Sequence, residues 1–329
     1  MRAAVIYNPS AGRGRGGTVA SAVDRGLTKR GLEVELHATQ RPTDATTIAE
    51  GLVSRVDVVV AIGGDGTINE VVNGMVAGAR PGAAPAPVMA GPAARGAAAA
   101  DADGGGTRLG AAPLTHGRAA LGIVPAGTVN VLAQELGLPF QVERACNVVA
   151  GGKTVSLDVG RVNDRGFMLM MGAGIDALTV RNIDLKAKRR FRELAFLATG
   201  LRWGLAADPP SFVVRAGARE FTATFFVASN CRYYTGRLGL TPDADPTDGL
   251  LDLLIFTGTT RSSLAVFWLG VPSGLHLKSQ NVVHMRAEKA EVIPVSDRET
   301  VWFQTDGELA GRLPATVKID AHALEVLVP

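Results

Sequence analysis

The sequence predicts two domains of different architecture: an α/β N-terminal domain on a parallel sheet, then a β-rich, antiparallel, sandwich-like C-terminal domain. Three observations carry this expectation. Over residues 1 to about 75, short apolar strands alternate with helical segments, the order that a parallel sheet with crossover helices requires. From Val155 onward the texture becomes many short β-rich runs separated by turns. The 329 residues, 47% of them hydrophobic, suffice for two cores. The expected boundaries are 1–138 and 139–314, with 315–329 a C-terminal segment able to return to the N-terminal domain.

The elements follow in order. Ala3–Tyr7 is apolar, too short for a signal peptide, and reads as a first strand. Asn8–Gly17 is a glycine-rich turn, Val19–Arg30 a helix ending at Gly31, Leu32–Ala38 a strand and Ala45–Ser54 a helix. Val56–Ile62 is short, β-branched and stopped by glycines, which predicts a fully buried strand. Thr67 and Glu70 then have capping-box spacing, and Ile68, Val71, Val72 and Met75 form a helical apolar stripe. Gly78 to about Arg118 is Ala, Gly and Pro with no periodicity. It cannot bury enough surface to offset its ordering entropy and reads as a flexible insertion. Its Asp101, Asp103 and Gly104–Gly106 fail the EF-hand spacing. Ala119–Val124 resumes as a strand, followed by the turn Pro125–Asn130 and a helix, Val131–Leu136, that stops at Gly137 and Pro139.

In the second half the strand-like runs are Thr154–Val159, Gly166–Met170, Ser211–Arg215, Glu220–Ala228, Leu250–Phe256, Val282–Ala287, Ala290–Val295 and Val301–Gln304. Two more, Ala315–Ile319 and Ala323–Val328, follow, and one long helix, roughly Leu185 to Leu205, interrupts the series. That helix opens with Lys186, Lys188, Arg189, Arg190 and Arg192 and carries Trp203. A basic amphipathic start of this kind suits an anionic membrane surface, while its apolar face also fits plain core packing.

Composition removes several classes. A net charge of +3 is too small to argue for a nucleic-acid partner. Cys146 and Cys231 are far apart, without CxxC or metal-ligand spacing, which fits reduced thiols in the cytoplasm. The uncharged run Ser262 to Leu277 contains Pro272 and His276 and is short for a bilayer span. The expectation is a soluble cytoplasmic chain, at most peripheral at the inner membrane face, with a homodimer left open.

The chemistry centres on Gly63-Gly64-Asp65-Gly66-Thr67-Ile68-Asn69-Glu70, a strand, a glycine turn and a helix N-terminus. Free N–H groups and a partial positive charge there hold phosphate, and glycine lets the backbone approach it. Asp65 is the odd member, because a carboxylate repels phosphate unless a cation or a proton transfer gives it a task.

Asn8-Pro9-Ser10-Ala11-Gly12, Gly63-Gly64-Asp65-Gly66-Thr67, Pro125-Ala126-Gly127-Thr128-Val129-Asn130, Asp245-Pro246-Thr247-Asp248-Gly249-Leu250-Leu251-Asp252 and Asp306-Gly307-Glu308 occur in that order. Together they resemble the diacylglycerol kinase and sphingosine kinase-like lipid kinases, particularly the soluble bacterial members. The resemblance covers nearly the whole chain outside 78–118. It implies an α/β domain that binds ATP, a β-rich domain on the lipid side, and a cleft between them. Asn8, Pro9, Ser10, Ala11, Gly12, Thr39, Gly64, Asp65, Gly66, Thr67, Ile68, Asn69, Glu70 and Thr128 would surround the nucleotide. This agrees with ligand placement at strand C-terminal ends, although Thr39 reads equally as an ordinary turn cap. Glu308 would be the general base, with Asp306 close by. Asp65 would orient Mg²⁺ or the nucleophile and is a rival for the base. Asp245, Asp248 and the carbonyl of Leu250 match a structural Mg²⁺ site. One departure is Val131, where the family often has an Asp; the insertion is the other.

Other readings compete. Gly12-Arg13-Gly14-Arg15-Gly16-Gly17 satisfies GxGxxG, with Glu33 and Glu35 beyond it, which suits an NAD(P)-dependent oxidoreductase. That reading leaves Asp65 and Asp306–Glu308 unexplained. An NAD kinase-like enzyme shares the Gly-Gly-Asp-Gly-Thr element, and the Asn8-Pro9 opening and the Asp245–Asp252 loop favour the lipid enzyme over it. A P-loop is excluded because Asn147 stands where Gly152-Lys153-Thr154 would need a glycine. A non-catalytic lipid- or nucleotide-binding regulator would not need Asp65, Asp306 and Glu308.

Overall fold

The computed structural model describes residues 1–79, 119–182, 210–296 and 299–329. The expected insertion beyond Ala79 and the expected helix Leu185–Leu205 lie outside the described residues.

The N-terminal part contains β1 (Arg2–Tyr7), α1 (Ala11–Gly14), α2 (Gly16–Thr28), β2 (Glu33–Ala38), α3 (Asp44–Leu52), β3 (Val58–Gly63), α4 (Asp65–Gly78), β4 (Ala120–Pro125), α5 (Val131–Glu135) and α6 (Val142–Gly151). The four strands pair in parallel in the order β2-β1-β3-β4. β3 and β4 are buried along their whole length, as strands covered by helices on both faces must be. The glycine-rich stretch after β1, expected as a turn, is mostly helical, with α1 and α2 meeting at Arg15. Helix α6 was not anticipated. It buries Ala145, Cys146 and Val149 against α2, and Arg30 reaches from the end of α2 to Glu143 (2.6 Å) and Asn147 (2.6 Å).

The C-terminal part contains β5 (Thr154–Val162), β6 (Arg165–Phe167), β7 (Met170–Gly174), α7 (Ile175–Asn182), β8 (Phe212–Ala216), β9 (Arg219–Ala223), β10 (Phe225–Ser229), β11 (Tyr233–Thr235) and β12 (Leu238–Gly239). It continues with β13 (Leu251–Phe256), α8 (Arg261–Gly270), β14 (Val282–Ala287), β15 (Lys289–Pro294), β16 (Trp302–Thr305), β17 (Glu308–Arg312) and β18 (Ala315–Leu327). Six strands form an antiparallel sheet in the order β14-β13-β10-β7-β16-β17. It packs face to face with the antiparallel part of the other sheet, where β18, β15, β8 and β9 are neighbours. Phe167, Phe212, Phe226, Ile255 and Val317 fill the space between.

Several expected strands are divided differently. Glu220–Ala228 is two strands, because Thr224 leaves the ladder: its N–H donates to the Phe256 carbonyl (3.0 Å) and its buried hydroxyl to the Gly258 carbonyl (2.8 Å). Gly166–Met170 splits into β6 and β7 around Met168 and Leu169, whose amides are used elsewhere, as described below. The two C-terminal pieces are one thirteen-residue strand, β18, with an irregularity between Asp320 and Leu324. This strand runs antiparallel to β5 from Val317 to Leu327 and lies parallel to β4 at Val326, so it joins the parallel and antiparallel regions into one sheet. Ser262–Leu277 forms α8 followed by two 3₁₀ turns. Among the described residues no helix is long and apolar enough to cross a membrane.

Candidate active site

Four strand ends converge. Tyr7 ends β1, and the Thr39 N–H donates to its carbonyl (2.9 Å), which brings the end of β2 alongside. Asn8 turns the chain out of the sheet: its side-chain oxygen accepts the Ser10 N–H (2.9 Å) and its carbonyl accepts the Ala11 N–H (3.0 Å). Gly16 packs so tightly on this turn that a Cβ there would lie 2.0 Å from the Asn8 carbonyl oxygen. The loops after β3 and β4 are in backbone contact. The Gly63 carbonyl accepts N–H groups from Ala126 (2.8 Å) and Gly127 (3.0 Å), and a Cβ on Gly127 would fall 2.4 Å from the Gly64 Cα. Asn8–Gly12, Gly64–Thr67 and exposed Thr128 therefore border one mouth at the C-terminal ends of the strands.

The expected Thr67–Glu70 capping box does not form. Helix α4 begins three residues earlier than that box would place it, at Asp65, with Gly64 in extended conformation as its N-cap and no side chain capping it. Thr67 folds back over Gly63, where a Cβ would meet its hydroxyl at 2.6 Å. The first-turn N–H groups that a side chain would otherwise take are thus left to an anion. Ile68 and Asn69, expected around the nucleotide, face inward instead. Ile68 is in the core, and buried Asn69 donates to Asp306 Oδ2 (2.7 Å). The Glu70 carbonyl accepts the Thr46 hydroxyl from α3 (3.0 Å), a contact between helices.

Asp65, Asn69 and Asp306 meet at the domain junction around a cavity of about 10 Å³, room for about one water, closed by Ile68, Leu132, Met168 and Leu169. Asp65 Oδ1 accepts the Leu132 N–H at 3.4 Å, so the start of α5 holds it where Val131 supplies no carboxylate. Burial raises the Asp65 carboxyl to about 6; the Leu132 amide opposes this and the neighbouring Asp306 charge adds to it. Asp306 accepts four hydrogen bonds: Asn69 and Met168 N–H on Oδ2 (2.7 and 2.9 Å), Leu169 N–H and Met170 N–H on Oδ1 (2.9 and 3.1 Å). Burial raises its carboxyl as well, against those donors. A carboxylate so fully occupied is a brace between α4 and the sandwich domain.

Asp306 and Gly307 both have left-handed backbone, φ 49° and 80°, which turns the chain sharply into β17. The turn is held from behind. Gln304 Oε1 accepts the Gly307 N–H (2.7 Å), while Gln304 Nε2 donates to buried Asp176 (2.8 Å), which also accepts the Tyr234 hydroxyl. Burial raises the Asp176 carboxyl to about 6, opposed by these two hydrogen bonds. The turn delivers Glu308 to the phosphate loop: a Cβ on Gly66 would lie 2.9 Å from Glu308 Oε1. Glu308 Oε2 pairs with Arg165 at 2.9 Å, both side chains being exposed. Sequence reasoning missed Arg165, because a lone Arg at a strand start carries no signal. It quoted Asn130 as a motif member without giving it a role; Asn130 is fully buried at φ 51° beside Gly64 and Gly127, with its side-chain oxygen unpaired.

The Asp245–Leu250 loop is held by its own short contacts. Asp245 Oδ1 accepts the Thr247 N–H (3.0 Å) and hydroxyl (2.7 Å), and Asp248 Oδ1 accepts the Leu250 N–H (3.0 Å). Asp248 Oδ2 faces Arg286 at 3.5 Å; the same guanidinium approaches buried Asp252 at 3.4 Å and donates to the Asp243 carbonyl at 2.9 Å. Among the described residues no three His, Cys, Asp or Glu side chains gather closely enough to hold a metal ion. A cation here would share Asp248 with Arg286, so these residues fit Mg²⁺ incompletely, and Arg286 supplies the positive charge facing Asp248 and Asp252.

A phosphate-binding helix start on a parallel sheet, faced by carboxylates from a β-sandwich, defines a two-domain phosphotransferase. The comparisons with known proteins agree. Residues 2–162 match the diacylglycerol kinase catalytic domain, and residues 170–328 match the YegS C-terminal NAD kinase beta sandwich-like domain. The diacylglycerol kinase of Bacillus subtilis is 27% identical over 333 residues, covering 100% of this chain and 96% of the relative. That of Staphylococcus epidermidis is 27% identical, covering 100% and 92%. A solved diacylglycerol kinase structure from Bacillus anthracis superposes with a TM-score of 0.72 at 19% identity, covering 100% of this chain and 96% of the other, a likeness of fold. The chain belongs to the diacylglycerol kinase family and is an ATP-dependent lipid kinase. The oxidoreductase reading of Gly12–Gly17 is corrected accordingly: Arg15 and Gly16 join two helices, and Gly16 serves close packing on Asn8.

Proposed function

We propose that this kinase transfers the γ-phosphate of ATP to the free hydroxyl of diacylglycerol, with Glu308 as general base. The observation that carries the proposal is the approach of Glu308 Oε1 to the phosphate-loop backbone at Gly66. A base reaching the mouth from the sandwich side can meet a lipid hydroxyl arriving from that side, while the free amides of α4 receive the phosphates. Asn8–Gly12, Thr39, Gly64–Thr67 and Thr128 line the nucleotide side. Asp65, the first residue of α4, would help hold the Mg²⁺ that neutralises phosphate charge. Asp306 fixes the distance between the two halves. Arg165 pairs with Glu308 at 2.9 Å and orients its carboxylate before substrate arrives.

The division of labour follows: β1 to α6 for the nucleotide, the sandwich strands for the lipid, and β18 shared between them. The enzyme works at the cytoplasmic membrane face, where its substrate lies. Labelled ATP offered with diacylglycerol, sphingoid bases, ceramide, phosphatidylglycerol or NAD tests the substrate: label is expected in diacylglycerol, and phosphorylation of NAD with no lipid labelled would overturn the reading. Glu308→Gln should lower kcat at least about a hundredfold with ATP affinity nearly unchanged; wild-type turnover would reject Glu308 as the base.

A further inference from the structure

Helix α8 is packed on one side and bare on the other. Leu264, Phe267 and Trp268 are buried against Phe225 and Phe256, with the Phe267 ring centroid 5.3 and 5.0 Å from theirs. The opposite side is also apolar. Val266 is 65% exposed, Leu269 71% and Leu275 57%, and Pro272 is exposed between the last two. Positions 266, 269, 272 and 275 recur every three residues, a spacing that keeps neighbours together along a helix continuing into 3₁₀ turns.

The surroundings select the partner. From Leu253 to Ala287 the sequence contains no Asp or Glu, while Arg261 and Lys278 flank the stripe and are exposed. An apolar ridge whose own chain segment carries exposed cations and no carboxylate matches an anionic bilayer, where aliphatic side chains enter the acyl boundary and cations meet headgroups. A second copy fits poorly. At roughly 60–120 Å² per aliphatic side chain, four residues from each of two copies fall short of the about 1,200 Å² of a stable interface. The inner face of α8 belongs to the same hydrophobic core as Ile68, Leu132, Met168 and Leu169, the residues that close the junction cavity.

We propose that the outer face of α8 and the 3₁₀ turns after it, through Val266, Leu269, Pro272 and Leu275, is the surface by which this kinase docks on anionic lipid bilayers. The proposal deepens the lipid-kinase reading and rests on it for the reason to dock. The test compares wild type with a Val266→Ser/Leu269→Ser/Leu275→Ser variant in co-sedimentation with phosphatidylglycerol or phosphatidylcholine vesicles. Wild type should bind the anionic vesicles preferentially and the variant about tenfold or more weakly. Turnover of a short-chain, water-soluble diacylglycerol should be equal in both. Equal vesicle binding by the two proteins overturns the proposal. So does light scattering that shows a wild-type dimer becoming a monomer in the variant while vesicle binding persists. A second readout avoids the triple substitution: Leu269→Cys labelled with a polarity-sensitive fluorophore, Cys146 and Cys231 being buried. A blue shift on adding phosphatidylglycerol vesicles is expected, and no shift counts against the docking face. Vesicle binding without phosphorylation of any diacylglycerol would remove the substrate assignment alone.

Discussion

Substituting Asp306 by Asn separates bracing from proton transfer. The two carboxylate oxygens each accept two donors: Leu169 and Met170 N–H on one, Met168 N–H and the Asn69 amide on the other. An asparagine offers one oxygen and one NH₂ group, so in either orientation two donors face a donor. Two hydrogen bonds to a charged acceptor are worth about 1.5–3 kcal/mol each. The loss is reduced because the neutral side chain escapes the burial penalty that raises the Asp306 carboxyl. Asp306→Asn should therefore lower the unfolding free energy by about 2–4 kcal/mol. Glu308→Gln, at an exposed position, should change it by less than about 0.5 kcal/mol. Urea unfolding followed by circular dichroism measures both. Reasoning from the four donors fails if Asp306→Asn unfolds within about 0.5 kcal/mol of wild type, a typical surface substitution.

Two glycines one position apart should behave oppositely. Gly16→Ala drives a Cβ to 2.0 Å from the Asn8 carbonyl and should cost about 1–3 kcal/mol and weaken ATP binding, whereas Gly17→Ala meets nothing within 4 Å and should be neutral in both assays. In nucleotide-free, metal-free protein, the Asp65 carboxyl should titrate near 6 by carbon NMR, and Asp65→Asn should remove that transition. Because the folded-state value lies above the ordinary 3.8, the folded protein holds a proton there that the unfolded chain has released. The Asp65 contribution to stability is thus complete below about 4 and lost as pH rises through 6, and a pH series of unfolding curves for wild type and variant gives the difference.

The parallel sheet was legible because burial on both faces writes itself as β-branched runs such as Val58–Ile62, and the glycine turn after it had to serve backbone approach. The sandwich was legible as a class from many short runs, but not strand by strand: Thr224 looks like any β-former, and only its bonds to Phe256 and Gly258 end β9. Helix α6 escaped notice because its apolar positions, Ala145, Cys146 and Val149, are small and few. At the site, Asp65, Gly66 and Glu308 were identifiable from motif order. The inward turn of Asn69 was not, because its partner Asp306 is 237 residues away and no local pattern announces such a pair. Gln304 and Asp176 behind the Asp306–Gly307 turn are hidden for the same reason.

Strand β18 has a consequence for how the protein is made. β1 to β4 leave the ribosome early, yet β4 gains its second neighbour only when Val326 arrives, and Leu327 is fully buried with Val5 and Val58 in the core of the parallel sheet. The nascent nucleotide half therefore carries an open sheet edge throughout synthesis of the sandwich, an exposure of the kind that invites chaperone capture or mispairing. Such pairing between distant segments is slow to form, and it ties completion of the ATP-binding half to the presence of the lipid half. A ribosome that stalls midway would release a fragment with an unsealed sheet, which quality control can remove before it competes for nucleotide.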